Sequence, residues 1–211
     1  MNKRLAFFGE KSDYFFEYKV RRVHEIIKGD NLRILDFGCG LGISEDYFCN
    51  YFPNSKIWGI DVSDKSIENA RARKLGNCEF STYDGKRIPF DDNNFDVVFT
   101  AGVFHHIKFE EHGRLFGEVL RVLKKGGRFF LFEHNPLNPV TRHMVVKGGY
   151  DDDATMLPHN YTRKMLQRAG FSRTNLEFTV FVPGFLRVLR PLEKCLSWLP
   201  VGGQYFVCAE K

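Results

Sequence analysis

The chain has 211 residues, 43% of them hydrophobic and 27% charged, with a formal net charge of +5. These values fit one compact domain that can bury a core, and no run approaches the roughly 18 apolar residues of a membrane-spanning helix. Lysines and arginines are spread along the chain, so no nucleic-acid partner is expected, and five cysteines without a CxxC pair argue against a disulfide framework and for a reduced, cytoplasmic setting.

The start, Met1–Glu10, is basic but lacks the apolar core of a signal peptide. Phe16, Val20, Val23 and Ile27 recur at helical spacing over 13–28, so residues 1–30 read as a helical cap. A buried strand is predicted over 32–37, a helix over 43–51 and a second strand over 56–61. Ser63 is placed to cap a third helix, and strands follow over 78–83 and 95–101. The latter, FDVVFTA, is nearly all apolar, as for a parallel strand covered on both faces. A helix over 110–123 is stopped by Gly126-Gly127, and a fifth strand covers 128–133. Residues 134–160, with three prolines and the acid run Asp151-Asp152-Asp153, read as a long lid or substrate loop. A helix over 161–169 and late strands over 175–182 and 204–209 complete the pattern. Before the last strand lies an insertion, 183–200. The alternation argues for an α/β fold with a doubly wound, mostly parallel sheet.

The chemistry-bearing feature is Asp36-Phe37-Gly38-Cys39-Gly40-Leu41-Gly42 at the end of the first strand. Glycines there let the backbone turn sharply and approach a ligand, and the helix behind them aims free N–H groups into the same space. The dinucleotide spacing GxGxxG fails, because Ile43 stands where its third glycine belongs, and a Walker A loop lacks its Gly-Lys-Ser/Thr. Cys39 in this turn could be a nucleophile, but its small size explains it. The second strand ends at Asp61, 21 residues after Gly40, where an acid can accept both hydroxyls of a ribose. The third strand ends in Tyr83-Asp84-Gly85, whose carboxylate could accept from an adenine amino group. Helix capping by Asp61 and turn formation by Asp84 are the plainer readings. Together the three tips suit an adenosine with a short polar tail.

The segments ILDFGCGLG, WGIDVS, YDGKRIPFDDNNFDVVFTAGVFHHI and LFGEVLRVLKKGGRFFLFEHNP resemble the class I S-adenosylmethionine-dependent methyltransferases. The similarity is nearest the ubiquinone/menaquinone-biosynthesis branch, and it extends over roughly 32–136, with weaker similarity in 160–171 and 202–211. It implies a Rossmann-like seven-stranded sheet with an antiparallel last strand and helices on both faces. It also implies S-adenosylmethionine as cofactor and S-adenosylhomocysteine as product. On this resemblance Asp36, Gly38 and Gly40 line the methionine part, with Cys39 in the same turn. Asp61 holds the ribose, Val62 stacks on adenine, and Asp84 and Gly85 meet its amino edge. Thr100, Ala101 and Val103 border the sulfonium. An Asn/Asp-Pro-Pro-aromatic motif, carried by enzymes of adenine or glutamine amino groups, is replaced by Ala101-Gly102-Val103-Phe104, and Asn135-Pro136 follows the wrong strand.

Methyl transfer is an in-line displacement on an activated carbon, so a base is needed only where the acceptor must lose a proton. Candidates are His105, His106, Glu133, His134 and His159, with His105 and His134 placed foremost as catalytic residues; no metal is expected. The acceptor is expected to be a small molecule, a lipid or a lipid-linked molecule, attacked at oxygen, nitrogen or carbon. Within 185–199, Leu189, Leu192, Leu196 and Leu199 form an apolar stripe with Arg187, Arg190 and Lys194 off it. That stripe could pack on the sheet, meet a second subunit, or rest on a membrane surface. Two other functions remain open: a cofactor-binding regulatory protein without turnover and, against the glycine spacing and Asp84, an NAD-dependent oxidoreductase.

Overall fold

The computed structural model describes residues 12–147, 155–182 and 184–211. The N-terminal decapeptide and the acid run Asp151–Asp153 lie outside the described residues, as do the side chains of Phe185 and Arg187.

Seven strands form a single sheet: β1 (Arg33–Phe37), β2 (Lys56–Asp61), β3 (Cys78–Thr82), β4 (Phe95–Ala101), β5 (Leu123–His134), β6 (Arg173–Thr179) and β7 (Gln204–Glu210). Their order is β3-β2-β1-β4-β5-β7-β6, and β7 runs antiparallel to both of its neighbours. The first five strands are parallel, with the reversal of strand order between β1 and β4. The doubly wound sheet expected from the alternation is therefore present, and its strand tips meet at the switch point where such sheets bind ligands.

The helices are α1 (Ser12–Ile26), α2 (Ile43–Tyr51), α3 (Asp64–Ala72), α4 (Phe109–Val122), α5 (Pro139–Lys147), α6 (His159–Ala169) and α7 (Glu193–Leu196). Alternate residues of the central strands feed two cores. Phe129 and Leu131 of β5 pack with Leu115, Phe116 and Val119 of α4 and Leu166 of α6. Phe130 and Phe132 face the other way, onto Val20 and Val23 of α1 and Phe48 and Phe52 of α2. Burial on both faces is why β4 and β5 read as continuous apolar runs. Many of the chain's 22 phenylalanines are spent here, in ring contacts such as Phe104–Phe116 at 4.4 Å.

Two regions depart from the sequence reading. Residues 134–160 are not all loop, because α5 lies within them. Its entry is set by Asn138, whose side-chain oxygen accepts the Thr141 N–H at 2.8 Å, as a helix cap does. The insertion holds a short 3-10 stretch, Gly184–Leu192, with non-helical geometry at Leu186, followed by α7. Its stripe is divided: Leu189 and Leu192 are exposed, Leu196 and Leu199 are half-buried, and Glu193 is buried. The Glu193 carboxylate accepts the N–H groups of Phe181 and Val182, tying the insertion to the chain leaving β6.

Candidate cofactor and acceptor site

The turn after β1 is anchored by the neighbouring strand. The N–H groups of Gly38 and Cys39 both donate to the Ile60 carbonyl, at 2.8 and 3.0 Å. Gly38 has φ of 82°, and a Cβ there would sit 2.4 Å from Val103 Cγ2, so the glycine is required by both conformation and space. Over Gly40 a Cβ would meet nothing within 4 Å, which leaves open space above the turn. Gly42, also left-handed, is the cap residue of α2, so the first N–H groups of that helix face the same space.

Asp61 is held ready by the backbone. Its Oδ2 accepts the Gly40 N–H at 3.0 Å and its Oδ1 accepts the Ser63 N–H at 2.9 Å. Ser63 in turn caps α3 by accepting from Ser66 N–H. The next residue after Asp61, Val62, is 61% exposed, unusual for an apolar residue at a strand tip. Gly85 approaches its methyl groups, since a Cβ on Gly85 would lie 3.4 Å from Val62 Cγ1. Asp84 forms the turn that presents Gly85: its Oδ1 accepts the N–H groups of Lys86 and Arg87, which hold its carboxyl below the usual carboxylate range.

Asp36 is 2% exposed, and burial, then the nearby charge of Asp61, pushes its carboxyl up to about 8. Beside it lies Glu45 of α2, fully buried and also pushed well above the usual range, by burial and then by Asp36. Neither Glu45 oxygen meets an N–H or O–H donor. The two carboxyls are satisfied by holding a proton between them, under the floor of the turn. Thr100 is fully buried and its hydroxyl donates to the Phe37 carbonyl at 2.7 Å, so it braces β4 against β1. Ala101 and Val103 stay partly exposed at the tip of β4. The Cys39 thiol is raised by burial and by the surrounding acids Asp36, Glu45 and Asp61, which leaves it unfit as a nucleophile.

The tips of β4 and β5 build a different surface. His105 Nδ1 lies 2.5 Å from Glu133 Oε2, with both side chains buried. The other Glu133 oxygen accepts the Phe104 N–H at 3.0 Å, which fixes the short 3-10 turn Phe104–His106. The rings of His106 and His134 stand 4.2 and 5.5 Å from that of His105. His134 is pushed down to about 3, first by burial, so its imidazole is neutral at ordinary pH. Four of the five proposed proton acceptors are thus together. His159 instead packs against Phe178 and Tyr205.

Three residues of this region escaped the sequence reading. Glu45 reads as an ordinary helix-surface acid; it is buried because Gly59 of β2 leaves room, a Cβ there falling 2.8 Å from Glu45 Oε1. Lys19 of α1 stands beside the buried Val20, and burial pushes its amine down to about 8 against the pull of Glu133 and Asp36. His112 of α4 is a structural link, its ring nitrogens engaging Tyr161 Oη and the carbonyls of Phe104 and Ile107.

Comparison with known proteins agrees with this layout. The family model described as a methyltransferase domain matches residues 35–131. The demethylmenaquinone methyltransferase of Thermotoga maritima is 32% identical over 122 residues, covering 58% of this chain and 52% of the relative. A fatty-acid O-methyltransferase of Mycolicibacterium smegmatis is 28% identical over 130 residues, covering 60% of this chain and 47% of the relative. The chain therefore spans about half the length of these curated relatives. Among solved structures, a methyltransferase of Archaeoglobus fulgidus has the same fold, with TM-score 0.72, 18% identity and 95% of each chain covered. The match to the family model ends at Leu131, just before Glu133 and His134. The similarity thus spans the turn and the acids of β2 and β3, and leaves part of the histidine cluster outside.

Proposed function

We propose that the protein transfers the methyl group of S-adenosylmethionine to a small-molecule, lipid or lipid-linked acceptor. The observation that carries this reading is the left-handed turn pinned to β2, with open space over Gly40 and Asp61 locked beside it. Asp36, beside Gly38 and Gly40, offers a proton-sharing carboxylate to the amino group of the methionine part, with Cys39 as a small residue of the turn. Asp61 keeps lone pairs for two ribose hydroxyls. Val62 and Gly85 flank a flat base, and Asp84 stands at its edge. Ala101 and Val103 border the reacting end, with Thr100 bracing them from behind. Bound there, the cofactor would supply a methyl group on a positively charged sulfur. The chain's share is to align the acceptor, keep water out and take a proton where one must leave. His105 is the proton acceptor, held and electrostatically supported by Glu133, and His134 is a neutral partner beside it.

Titration calorimetry tests the reading directly. The protein is expected to bind S-adenosylhomocysteine and to ignore NADH. Asp61→Ala, losing charge-assisted hydrogen bonds of ~1.5–3 kcal/mol each, is expected to weaken that binding by about 100-fold. NADH binding in place of S-adenosylhomocysteine would sink the proposal. Binding without turnover on a broad acceptor panel would favour a regulatory role.

The exposed insertion favours the lipid side of the acceptor class. Val188 is 85% exposed and Trp198 73%, with Leu189 and Leu192 beside them. Lys194 and Arg190 flank this surface, and Arg190 lies over Tyr14 of α1 at 3.8 Å. The apolar surface thus adjoins α1. No helix among the described residues is long and apolar enough to cross a membrane, so contact would be peripheral. The two relatives' names, for a quinone precursor and a fatty acid, agree with apolar acceptors. Flotation with anionic vesicles, lost in Trp198→Asp, is the expected result; a wild-type protein that stays at the bottom removes the membrane contact.

A further inference from the structure

Two cysteines 29 residues apart in the chain meet in space, with their Sγ atoms 3.2 Å from each other. Cys49 lies in the last turn of α2, and Cys78 is the first residue of β3. No CxxC pair announces them, because it is the crossover that brings them together. α2 carries the chain from the tip of β1 back to the start of β2, so its last turn lies at the end of the sheet opposite the strand tips. Cys78 is at that same end, in register with Ile57 near the start of β2.

The surroundings suit a pair that can react. Cys49 and Cys78 both pack at the margin of the cluster that holds Phe48, Phe52 and Ile57, and Cys78 also touches the small cluster of Ile67, Ala70 and Phe80. Both thiols are half-buried, so a small solute can reach them, whereas Cys39 is buried. A disulfide bond is ~2.05 Å long, about 1 Å shorter than this contact. Rotation of two side chains can close that gap, one at a helix end and one on the edge strand of the sheet. The hydrogen bond from Cys78 holds the Cys49 thiol below the usual thiol range, against the opposing effect of burial.

We propose that Cys49 and Cys78 form a reversible redox site, in which a hydroperoxide such as hydrogen peroxide converts the two thiols to a disulfide that staples β3 to α2. The Cys49 sulfur attacks one peroxide oxygen, the O–O bond breaks, and the departing hydroxide takes up the Cys49 proton and leaves as water. The Cys78 sulfur then attacks the sulfenic sulfur of Cys49. The S–S bond forms, the S–O bond breaks, and the hydroxide leaves with the Cys78 proton as a second water. Two electrons pass from the sulfur pair to the peroxide. A dithiol reductant reverses the step by thiol–disulfide exchange.

The bond closes a loop that contains β2 and α3. Closing it restricts the unfolded chain and so stabilises the fold. The staple acts where the sheet is held least, since β3 is its edge strand and pairs with β2 on one side. It sits at the opposite end of β3 from the Tyr83-Asp84-Gly85 turn, which makes it a lock on the fold rather than a plug in the cradle. The proposal stands apart from the methyltransferase reading.

The test treats the full chain with hydrogen peroxide and reads intact mass, a peptide map and the melting temperature. The monomer is expected to lose two hydrogens. After acid quenching and alkylation, the map should join Cys49 to Cys78, with fragmentation separating Cys49 from Cys39 on the same peptide. The melting temperature should rise by about 5–10 °C. Dithiothreitol should return both mass and melting temperature to their starting values. Cys49→Ser and Cys78→Ser should each abolish the loss of two hydrogens. Cys195→Ser, which removes the exposed cysteine, should behave as the wild type. Three results overturn the proposal: a monomer that keeps its two hydrogens, a map showing sulfinic acid or another pairing in place of Cys49–Cys78, or an oxidised protein that melts no higher than the reduced one. The wild-type map decides the pairing even where a serine variant fails to fold.

Discussion

The tips of β1–β3 and the tips of β4–β5 sit side by side in one sheet and are built on opposite principles. The first three strands make their half of the site from backbone: glycines at positive φ, free N–H groups and single acids at the end of each strand. The next two make theirs from buried, mutually bonded side chains. A backbone cradle tolerates change around it, because few side chains hold it. A side-chain cluster couples chemistry to stability, because its polar groups are sealed from water and must satisfy one another. The difference teaches where each half can be varied: on the proposed reading, acceptor choice would lie in packing and donor choice in loop geometry.

The sharpest way to break this contrast is to remove the buried acid of the second half. Glu133→Ala strips partners from both Phe104 N–H and His105, and losing one member of a buried pair costs about 3–5 kcal/mol. The measurement is the urea midpoint at unchanged m-value. A shift worth less than about 1 kcal/mol would mean that the tip of β4 is held by packing alone.

A middle-sized effect separates the halves by pH. Asp36 is raised to about 8 in the folded protein, above its unfolded value near ~4. A raised acid binds its proton more tightly when folded, so the ligand-free protein should lose stability as pH rises from about 4 toward 8. An incoming ammonium group favours ionised Asp36, so binding should release protons. Affinity for S-adenosylhomocysteine should therefore climb with pH, by up to about tenfold per unit, and level off near 8. Calorimetry in buffers of different ionisation enthalpy reads the protons directly. Asp36→Asn should show weaker, pH-flat binding, and a slope that survives the substitution would move the titrating group elsewhere.

The smallest effect tests the cradle's tolerance. Val62 is 61% exposed, so Val62→Ala should leave thermal stability within about 0.5 kcal/mol of the parent. It should still weaken S-adenosylhomocysteine several-fold, since about two methyl groups of ~0.8 kcal/mol each leave the face of the base. Unchanged affinity would remove Val62 from the adenine contact.

Much of this molecule was legible before any coordinates. The periodicities placed α2, β2 and β4 at their observed bounds, and the glycine spacing with Asp61 and Asp84 marked three adjacent strand tips. These features are local: a turn needs glycine where φ is positive, and a two-face-buried strand needs apolar residues in succession. What the chain order could not supply was depth. Glu45 is buried only because Gly59, on another strand, lacks a side chain. Thr100 looks like a cofactor contact until its hydroxyl is seen spent on β1. The leucine stripe of the insertion left packing on the sheet, a second subunit and a membrane surface open; Leu189 and Leu192 stand outside, Leu196 and Leu199 are half-buried, and Glu193 anchors the segment.

By itself, then, the sequence determined the sheet, its switch point and the glycine turn with its acidic strand tips, because each depends on neighbours a few residues apart. Only the tertiary structure decided the buried cluster at the tips of β4 and β5: His105, just past β4, meets Glu133 of β5 because the two strands pair side by side.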